Sequence, residues 1–431
     1  MALVPSGYRP RLLDKVIARR LKGFGAVEVA GTKFCGKTWA SLAQGESITH
    51  IDDGAVRRAV EVDVGLALAG AQPHVIDEWQ DVPQIWDAVR RAIDETGNKH
   101  GQYLLTGSSS ADKTKVSHSG AGRIAKIHLR PLSLFESGLS DGSVSLAGLF
   151  DGECPAAPSS ASALGLAEAV CLGGWPASLG AAPDEAASLP GQYLESLFEV
   201  SARKVGLDPT IAQRVAESLA RNLGKALTYK TIYADAFQEE LDPRADASVF
   251  RKPLDPYLAF FKDQYFVEEQ HGWDAPVKSR SRVRSKPKRG FADPSLGAAL
   301  LSMAPERLVM ETQTFGTLFE EMCLRDVRVY ASALDLDRSP KVLYYGDADG
   351  LEVDIVVELP DGRWGAFEVK LGDAKVSQAE RSLLRLRDKV AANPAARNPE
   401  PSFLAVLVGV TPFARRLPSG VCVVPITSLG A

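Results

Sequence analysis

The octapeptide GTKFCGKT, Gly31 to Thr38, has the residue types and the spacing that phosphate chemistry requires. It matches G-x-x-x-x-G-K-[ST] at Gly31, Gly36, Lys37 and Thr38, with an apolar strand before it and the helix-forming run KTWASLAQ after it. Glycine permits backbone angles that aim successive N–H groups at phosphate oxygens, Lys37 adds a point charge for the β and γ phosphates, and the Thr38 hydroxyl is a ligand for Mg²⁺. The nucleotide-binding set is therefore Gly31, Thr32, Lys33, Cys35, Gly36, Lys37, Thr38 and Trp39, with ATP and Mg²⁺ as the expected cofactors. Hydrolysis also needs a metal-holding carboxylate on a neighbouring strand and a group that orients water. The run HVIDE offers both: Asp77 to hold Mg²⁺ through water, and Glu78 as the catalytic group that polarises the nucleophile. A simple acidic strand end is the other reading of that pair. In LLTGS, Thr106 and Ser108 stand where a polar side chain senses the γ-phosphate, or where a turn forms. Arg123, in GAGRI, has three readings: near the phosphates, in a neighbouring subunit's site, or on the solvated surface.

A second constellation lies near the other end, in GTLFEEM and LEVDIVVELPDGRWGAFEVKLGD. Glu368 and Lys370 are two apart in an apolar strand and so share one face. Asp354 belongs to the preceding strand of a hairpin. That pairing would place Asp354 and Glu368 around a divalent cation, Mg²⁺ or Mn²⁺, with Lys370 stabilising charge on a scissile phosphate. Glu320, on the helix before, adds an outer carboxylate. The D…E-x-K spacing resembles that of PD-(D/E)XK nucleases. Alternating charge and hydrophobe also describes a half-exposed antiparallel strand.

Elements that position these groups are legible in the patterning. From Tyr8 to about Glu136, short apolar runs alternate with helical periodicity, which predicts a parallel sheet with crossover helices. Ser137 to Gly165 is dense in Gly, Ser, Ala and Pro and reads as a connector. Helices interrupted by GGWP follow, then short helices from about Ile211 and a helix running into a strand. The segment APVKSRSRVRSKPKRG is strongly basic: Lys278, Arg280, Arg282, Arg284, Lys286, Lys288 and Arg289 would line one face of a strand. From about Thr312 a helix, three strands, a helix and further strands complete the chain. The expected division is an AAA-like P-loop ATPase domain over 1–145, a connector and helical segment over 146–210, a winged-helix-like domain over 211–310 and a restriction-endonuclease-like domain over 311–431. The fold class is α/β.

Taken together, GYRPRLLD, GTKFCGKT, VIDEWQDVPQIWDAVRRAID, YLLTGSSS, GRIAKIHLRPLSLFE and GGWP resemble the prokaryotic AAA-type ATPases that carry a C-terminal domain of unassigned function. The resemblance spans nearly the whole chain and is densest over residues 8–136. It implies that Lys37 and Thr38 match the Walker A residues, Asp77 and Glu78 the Walker B residues, and Thr106 the first sensor. It implies a winged-helix-like middle region and a nuclease-like C-terminal fold. ATP is the expected ligand, and DNA and a second copy of the chain are the candidate macromolecular partners. Two functions compete: an ATPase coupled to a nucleic-acid-acting, metal-dependent nuclease, and an ATP-dependent regulatory or binding protein whose nuclease-like fold does not cut. A basic winged-helix strand serves DNA contact or protein contact equally.

Composition limits the field further. At 431 residues the chain has room for about three domains. Hydrophobic residues at 45% and charged residues at 24% are ordinary for a globular protein, and no apolar stretch approaches membrane-spanning length, so a cytoplasmic location is expected. The N-terminus does not read as a signal peptide. Five scattered cysteines without a CxxC pair argue against a disulfide framework or zinc site. A formal charge of −4 argues against a wholesale nucleic-acid binder.

Overall fold

The computed structural model describes residues 2–109, 119–225, 227–238, 247–274, 287–334 and 338–431. The chain divides into two compact units, Met1–Pro131 with Phe261–Phe266, and Leu132–Phe260 with Val267–Ala431. None of the described helices is long and apolar enough to cross a membrane.

The first unit is a five-stranded parallel sheet of β1 (Ala26–Ala30), β2 (Ser47–His50), β3 (His74–Asp77), β4 (Tyr103–Gly107) and β5 (Ile124–His128), in the order β2-β3-β4-β1-β5. Helix α1 (Asp14–Gly23) leads into it, and the crossover helices are α2 (Lys37–Leu42), α3 (Gly54–Val62) and α4 (Gln84–Glu95). Both faces of the sheet are covered, which is why the strands read as near-continuous apolar runs. Val27, Val29, Val75 and Leu104 pack with Ile17, Leu21 and Ala40. Ala26, Ile76 and Leu105 pack with Ile85, Trp86 and Val89. The one charge inside β1, Glu28, is paired across the register with Lys126 of β5, 2.9 Å away.

In the second unit, β6 (Val144–Ser145) pairs with β15 (Leu429–Gly430), and β7 (Val267–Gln270) pairs with β8 (Lys288–Phe291). A six-stranded mixed sheet is made of β9 (Lys341–Gly346), β10 (Glu352–Glu358), β11 (Trp364–Gly372), β12 (Phe403–Val410), β13 (Arg415–Arg416) and β14 (Cys422–Pro425), in the order β13-β14-β12-β11-β10-β9. β9, β10 and β11 form an antiparallel meander; after the helix Val376–Ala391 the chain returns as β12, parallel to β11. Leu383, Leu386 and Val390 of that helix close one core with Val353, Val356, Val406 and Val408.

The GGWP motif is a structural hub here. A Cβ on Gly174 would lie 2.1 Å from the Leu132 carbonyl, so only glycine fits. Gly174 N–H and Arg325 Nη1 both donate to Asp293, and Trp175 Nε1 donates to Ser295 Oγ. Arg325 also pairs with Asp326, whose other oxygen accepts from the Leu134 amide. A buried guanidinium with two carboxylates and satisfied lone pairs ties the helix Thr312–Ala333 to the segment around Leu132.

Three sequence expectations are corrected. Residues 137–165 are not a bare connector: Val144 pairs with Leu429, Leu146, Leu149 and Phe150 are buried, and Phe150 stands edge-on to Phe403. Farther along, Ala157 accepts from Ala414 and Ser159 donates to Pro412. Small residues there allow close backbone approach rather than flexibility. The first unit therefore ends at Pro131, and Leu132 to Ser145 belong to the second, because their hydrogen-bond partners lie at Gly174, Asp326 and Leu429. The exposed basic face is corrected where it can be seen. Lys278, Arg280, Arg282, Arg284 and Lys286 lie outside the described residues. Lys288 is buried against Glu320 and Glu352, and Arg289 faces Glu269 at 3.3 Å, so both are neutralised internally. The helices Pro209–Arg221, Tyr229–Phe237 and Ala247–Asp263 precede the β7–β8 hairpin.

Candidate active site

Parallel register brings the carboxyl ends of the first unit's strands level with one another. Ala30 stands opposite Gly107, and Asp77 opposite both Thr106 and His50. The loop Gly31–Gly36 leaves β1 at this edge and enters α2. Gly31 is required by packing, since a Cβ there would lie 2.1 Å from the Leu129 carbonyl. Gly36, at φ 94° and ψ 21°, occupies the left-handed region that side chains disfavour. Lys37 is only 6% exposed, and its ammonium donates to the Thr32 carbonyl at 2.8 Å, folding back across its own loop. Thr32 is buried, Lys33 half-buried, and Trp39 46% exposed on the first turn of α2. The Cys35 thiol points into the core and donates to the Leu129 carbonyl at 3.3 Å. For Cys35 the side chain is thus no ligand, and only its amide is left to the cradle.

Asp77 Oδ1 accepts from Thr38 Oγ1 at 3.0 Å and from Thr106 Oγ1, while His50 Nδ1 lies 3.5 Å from Oδ2. Glu78, in the left-handed region at φ 55°, accepts from Ser108 Oγ at 2.9 Å and from Gln80 Nε2. Lys37, Thr38, Asp77, Glu78 and Thr106 are thereby assembled as a group. Hard oxygen donors of Thr38 and Asp77, 3.0 Å apart beside a lysine and a loop of amides, suit Mg²⁺ with a triphosphate.

Of the three readings of Arg123, the structure excludes the one near the phosphates of its own chain. It precedes β5, at the amino end of the sheet, where its carbonyl bonds to the Ala26 amide, and its guanidinium pairs with Asp94 at 2.8 Å. The phosphate loop leaves the opposite end of β1, so Arg123 cannot reach phosphates bound there. A residue not singled out from the sequence acts instead. Arg11 is buried, and its two terminal nitrogens donate to the Cys35 carbonyl at 2.8 Å and the Arg130 carbonyl at 2.7 Å. It clamps the turn of the phosphate loop to the chain after β5. Its signal was its place in GYRPRLLD, a polar residue preceding a helix, which by itself says nothing about a partner 24 residues away.

In the second unit, antiparallel pairing of Ile355 with Phe367 sets Asp354 beside Glu368. Asp354 Oδ2 accepts from the Val369 amide at 2.8 Å. Lys370 Nζ lies 2.6 Å from Glu368 Oε2 and 3.6 Å from Asp354 Oδ2. Glu320 faces Lys288, which also bonds Glu352. Burial, then the charge of Asp354, pushes the carboxyls of both Glu320 and Glu368 up to about 8, against the pull of the lysines. Burial likewise lifts Glu321 to about 7. Burial opposes charge on Lys288 and Lys370, but the surrounding acids outweigh it and hold both above the usual lysine range. Glu320, Asp354, Glu368 and Lys370 are brought together, with each acid set against a lysine. Among the described residues no group of three acidic, histidine or cysteine side chains is arranged to hold a metal ion. The divalent cation implied by the D…E-x-K spacing does not fit these side chains as they stand.

Comparison with known proteins follows the same division. Residues 24–137 match the family model described as an AAA domain. Residues 164–307 and 315–429 match two models described as domains of unknown function, DUF8612 and DUF4143. Among solved structures, the chain is similar to a Walker-type ATPase of Pyrococcus abyssi, at 11% identity over 70% of this chain and 98% of that one, with a TM-score of 0.41. It is also similar to a RuvB variant of Thermotoga maritima, at 15% identity over 61% of this chain and 93% of that one, with a TM-score of 0.27. No curated protein sequence matches. The family match over 24–137 thus falls on the stretch that carries the phosphate loop and its carboxylate neighbours, and it shows an AAA domain there.

Proposed function

We propose that this chain binds ATP with Mg²⁺ in the loop Gly31–Thr38 and hydrolyses its γ-phosphate. The observation that carries the reading is the convergence of Lys37, Thr38, Asp77, Glu78 and Thr106 at one edge of the parallel sheet. Lys37 is bonded to the Thr32 carbonyl; phosphate oxygens would take over that ammonium, exchanging a neutral acceptor for a charged one. Thr38 and Asp77 would hold the Mg²⁺, which supplies neutralisation of charge on the β and γ oxygens when bound. Glu78, kept in place by Ser108 and Gln80, would orient a water for attack and receive its proton. Thr106, bonded to Asp77, registers the state of that carboxylate.

Glu78→Gln preserves shape and removes the base. Nucleotide affinity, followed with a fluorescent ATP analogue, should stay within about threefold, while phosphate release falls about 100-fold or more. Undiminished turnover would remove Glu78 from the mechanism.

For the C-terminal part, we favour the non-cleaving reading, a nuclease-like fold that binds DNA or a protein under ATP control. The order of helix, three-stranded meander, helix and parallel strand supports the nuclease-like likeness of the fold. Pairing of its carboxylates with lysines supports binding without cutting. Plasmid DNA left intact with Mn²⁺ and ATP is the expected result; cleavage abolished by Asp354→Ala would reverse it.

A further inference from the structure

The position a divalent cation would take among Glu320, Asp354 and Glu368 is contested by a side chain from outside that motif. Lys288 opens β8 and is 6% exposed. Its ammonium lies 2.5 Å from Glu352 Oε1, 3.8 Å from Glu320 Oε1 and 4.9 Å from the centre of the Tyr344 ring. Lys370 occupies the other side, against Glu368 and Asp354. Each of the four carboxylates thus faces an ammonium of the protein. A hard cation binds carboxylates through oxygens that converge on one point. Here those oxygens are spread over two lysines.

The hairpin that delivers Lys288 is fastened to the sheet beside the acids. Lys288 pairs with Gln270 in the β7–β8 register, and the Gln270 side-chain Nε2 donates to the carbonyls of Leu343, at 3.0 Å, and Asp354 itself, at 2.8 Å. Beyond β7, the Trp273 amide donates to Tyr344, and the Tyr344 amide donates to His271. On the inner side Arg328 pairs with Glu268 at 3.1 Å. An ammonium held this way is a fixed part of the site, unlike a lysine that swings in from solvent.

We propose that Lys288 stands in for the divalent cation: the C-terminal carboxylate site is closed by the chain's own ammonium, takes up no Mg²⁺ or Mn²⁺ in the native protein, and becomes a cation site when Lys288 is removed. The proposal deepens the non-cleaving reading and rests on it only for the kind of ion displaced.

Manganese binding to the full-length, nucleotide-free chain tests it, read from the loss of the free Mn²⁺ electron paramagnetic resonance signal. An Asp77→Asn background silences the phosphate-loop site. That parent should show no saturable site up to millimolar Mn²⁺. Adding Lys288→Met, or Lys288→Gln, should create one site at least tenfold tighter than any residual binding, and adding Asp354→Asn should abolish it. A saturable site in the parent that Asp354→Asn removes would overturn the proposal, as would folded Lys288 variants, checked by circular dichroism, that gain no site. If neither variant folds, the parent titration decides by itself. A plasmid-nicking assay on the same proteins separates the two ideas: a metal-free parent that still nicks DNA sinks the non-cleaving reading and leaves the role of Lys288 standing.

Discussion

The phosphate loop and the C-terminal carboxylate cluster both gather charged groups beside a sheet, yet they are specified in different ways. Eight contiguous residues make the loop, and most of its chemistry is backbone: Gly31 because nothing larger clears Leu129, Gly36 because of its left-handed angles. The cluster draws on Lys288, Glu320, the β10 pair Glu352 and Asp354, and the β11 pair Glu368 and Lys370, and its chemistry is a balance among side chains. A local motif survives reading in one dimension. A charge balance depends on every neighbour, including ones that no motif contains.

The widest gap between the two sites should appear on Lys37→Ala. It removes the ammonium that follows Gly36 and folds back across the loop, so ATP affinity should fall about 100-fold, in keeping with the roughly 2–3 kcal/mol of a charge-assisted hydrogen bond. Melting of the nucleotide-free protein should change little. Unaltered affinity in an isothermal titration would break the comparison at its root. Arg11→Ala tests whether the loop is as local as it looks. Two carbonyls, that of buried Cys35 and that of half-buried Arg130, would lose their donor, at about 2 kcal/mol of stability in sum. ATP affinity should fall about tenfold with kcat much less affected. Arg11→Lys, lacking the fork that reaches two carbonyls, should not restore it. Equal affinity in Arg11→Ala would mean that the loop holds its shape unaided.

Smallest, and most diagnostic of the contrast, is pH. His74, buried with Ser47, Thr49 and the Ala67 carbonyl around its ring, is held below its ordinary 6.5, chiefly by burial. The unfolded chain then binds more protons, so stability of the first unit is present above about 6.5 and drains as pH falls below it. Glu368, raised from 4.5 to about 8, does the reverse: the folded chain binds more protons, and stability drains as pH rises through that window. Melting profiles should show His74→Gln flattening the acid limb and Glu368→Gln the alkaline limb, each by a few degrees. Both variants altering the same limb would defeat the assignment.

How much was legible follows the same line. Alternating apolar runs and helical periods before Glu136 correspond to the parallel sheet, because a doubly covered strand has to be apolar throughout. The residues Lys37, Thr38, Asp77, Glu78 and Thr106 were readable, since the first two open a helix after a glycine-bounded turn and the others sit at strand ends that the pattern marks. Of the readings of Arg123, the one beside the phosphates of its own chain fails because its position before rather than after an apolar run puts it at the other end of a parallel strand. Residues 137–165 were misread because small residues mark tight packing as well as loose chain. Arg11 and Lys288 were unreadable in their roles: each meets partners 24 or more positions away.

The amino-acid sequence by itself determined where phosphate would be gripped, because a glycine-bounded turn between a strand and a helix is a local backbone property. Only the tertiary structure decided that Arg11 holds that turn in place and that Lys288 sits among the C-terminal acids. Electrostatic energy depends on distance through space, and distance through space is what folding alone sets.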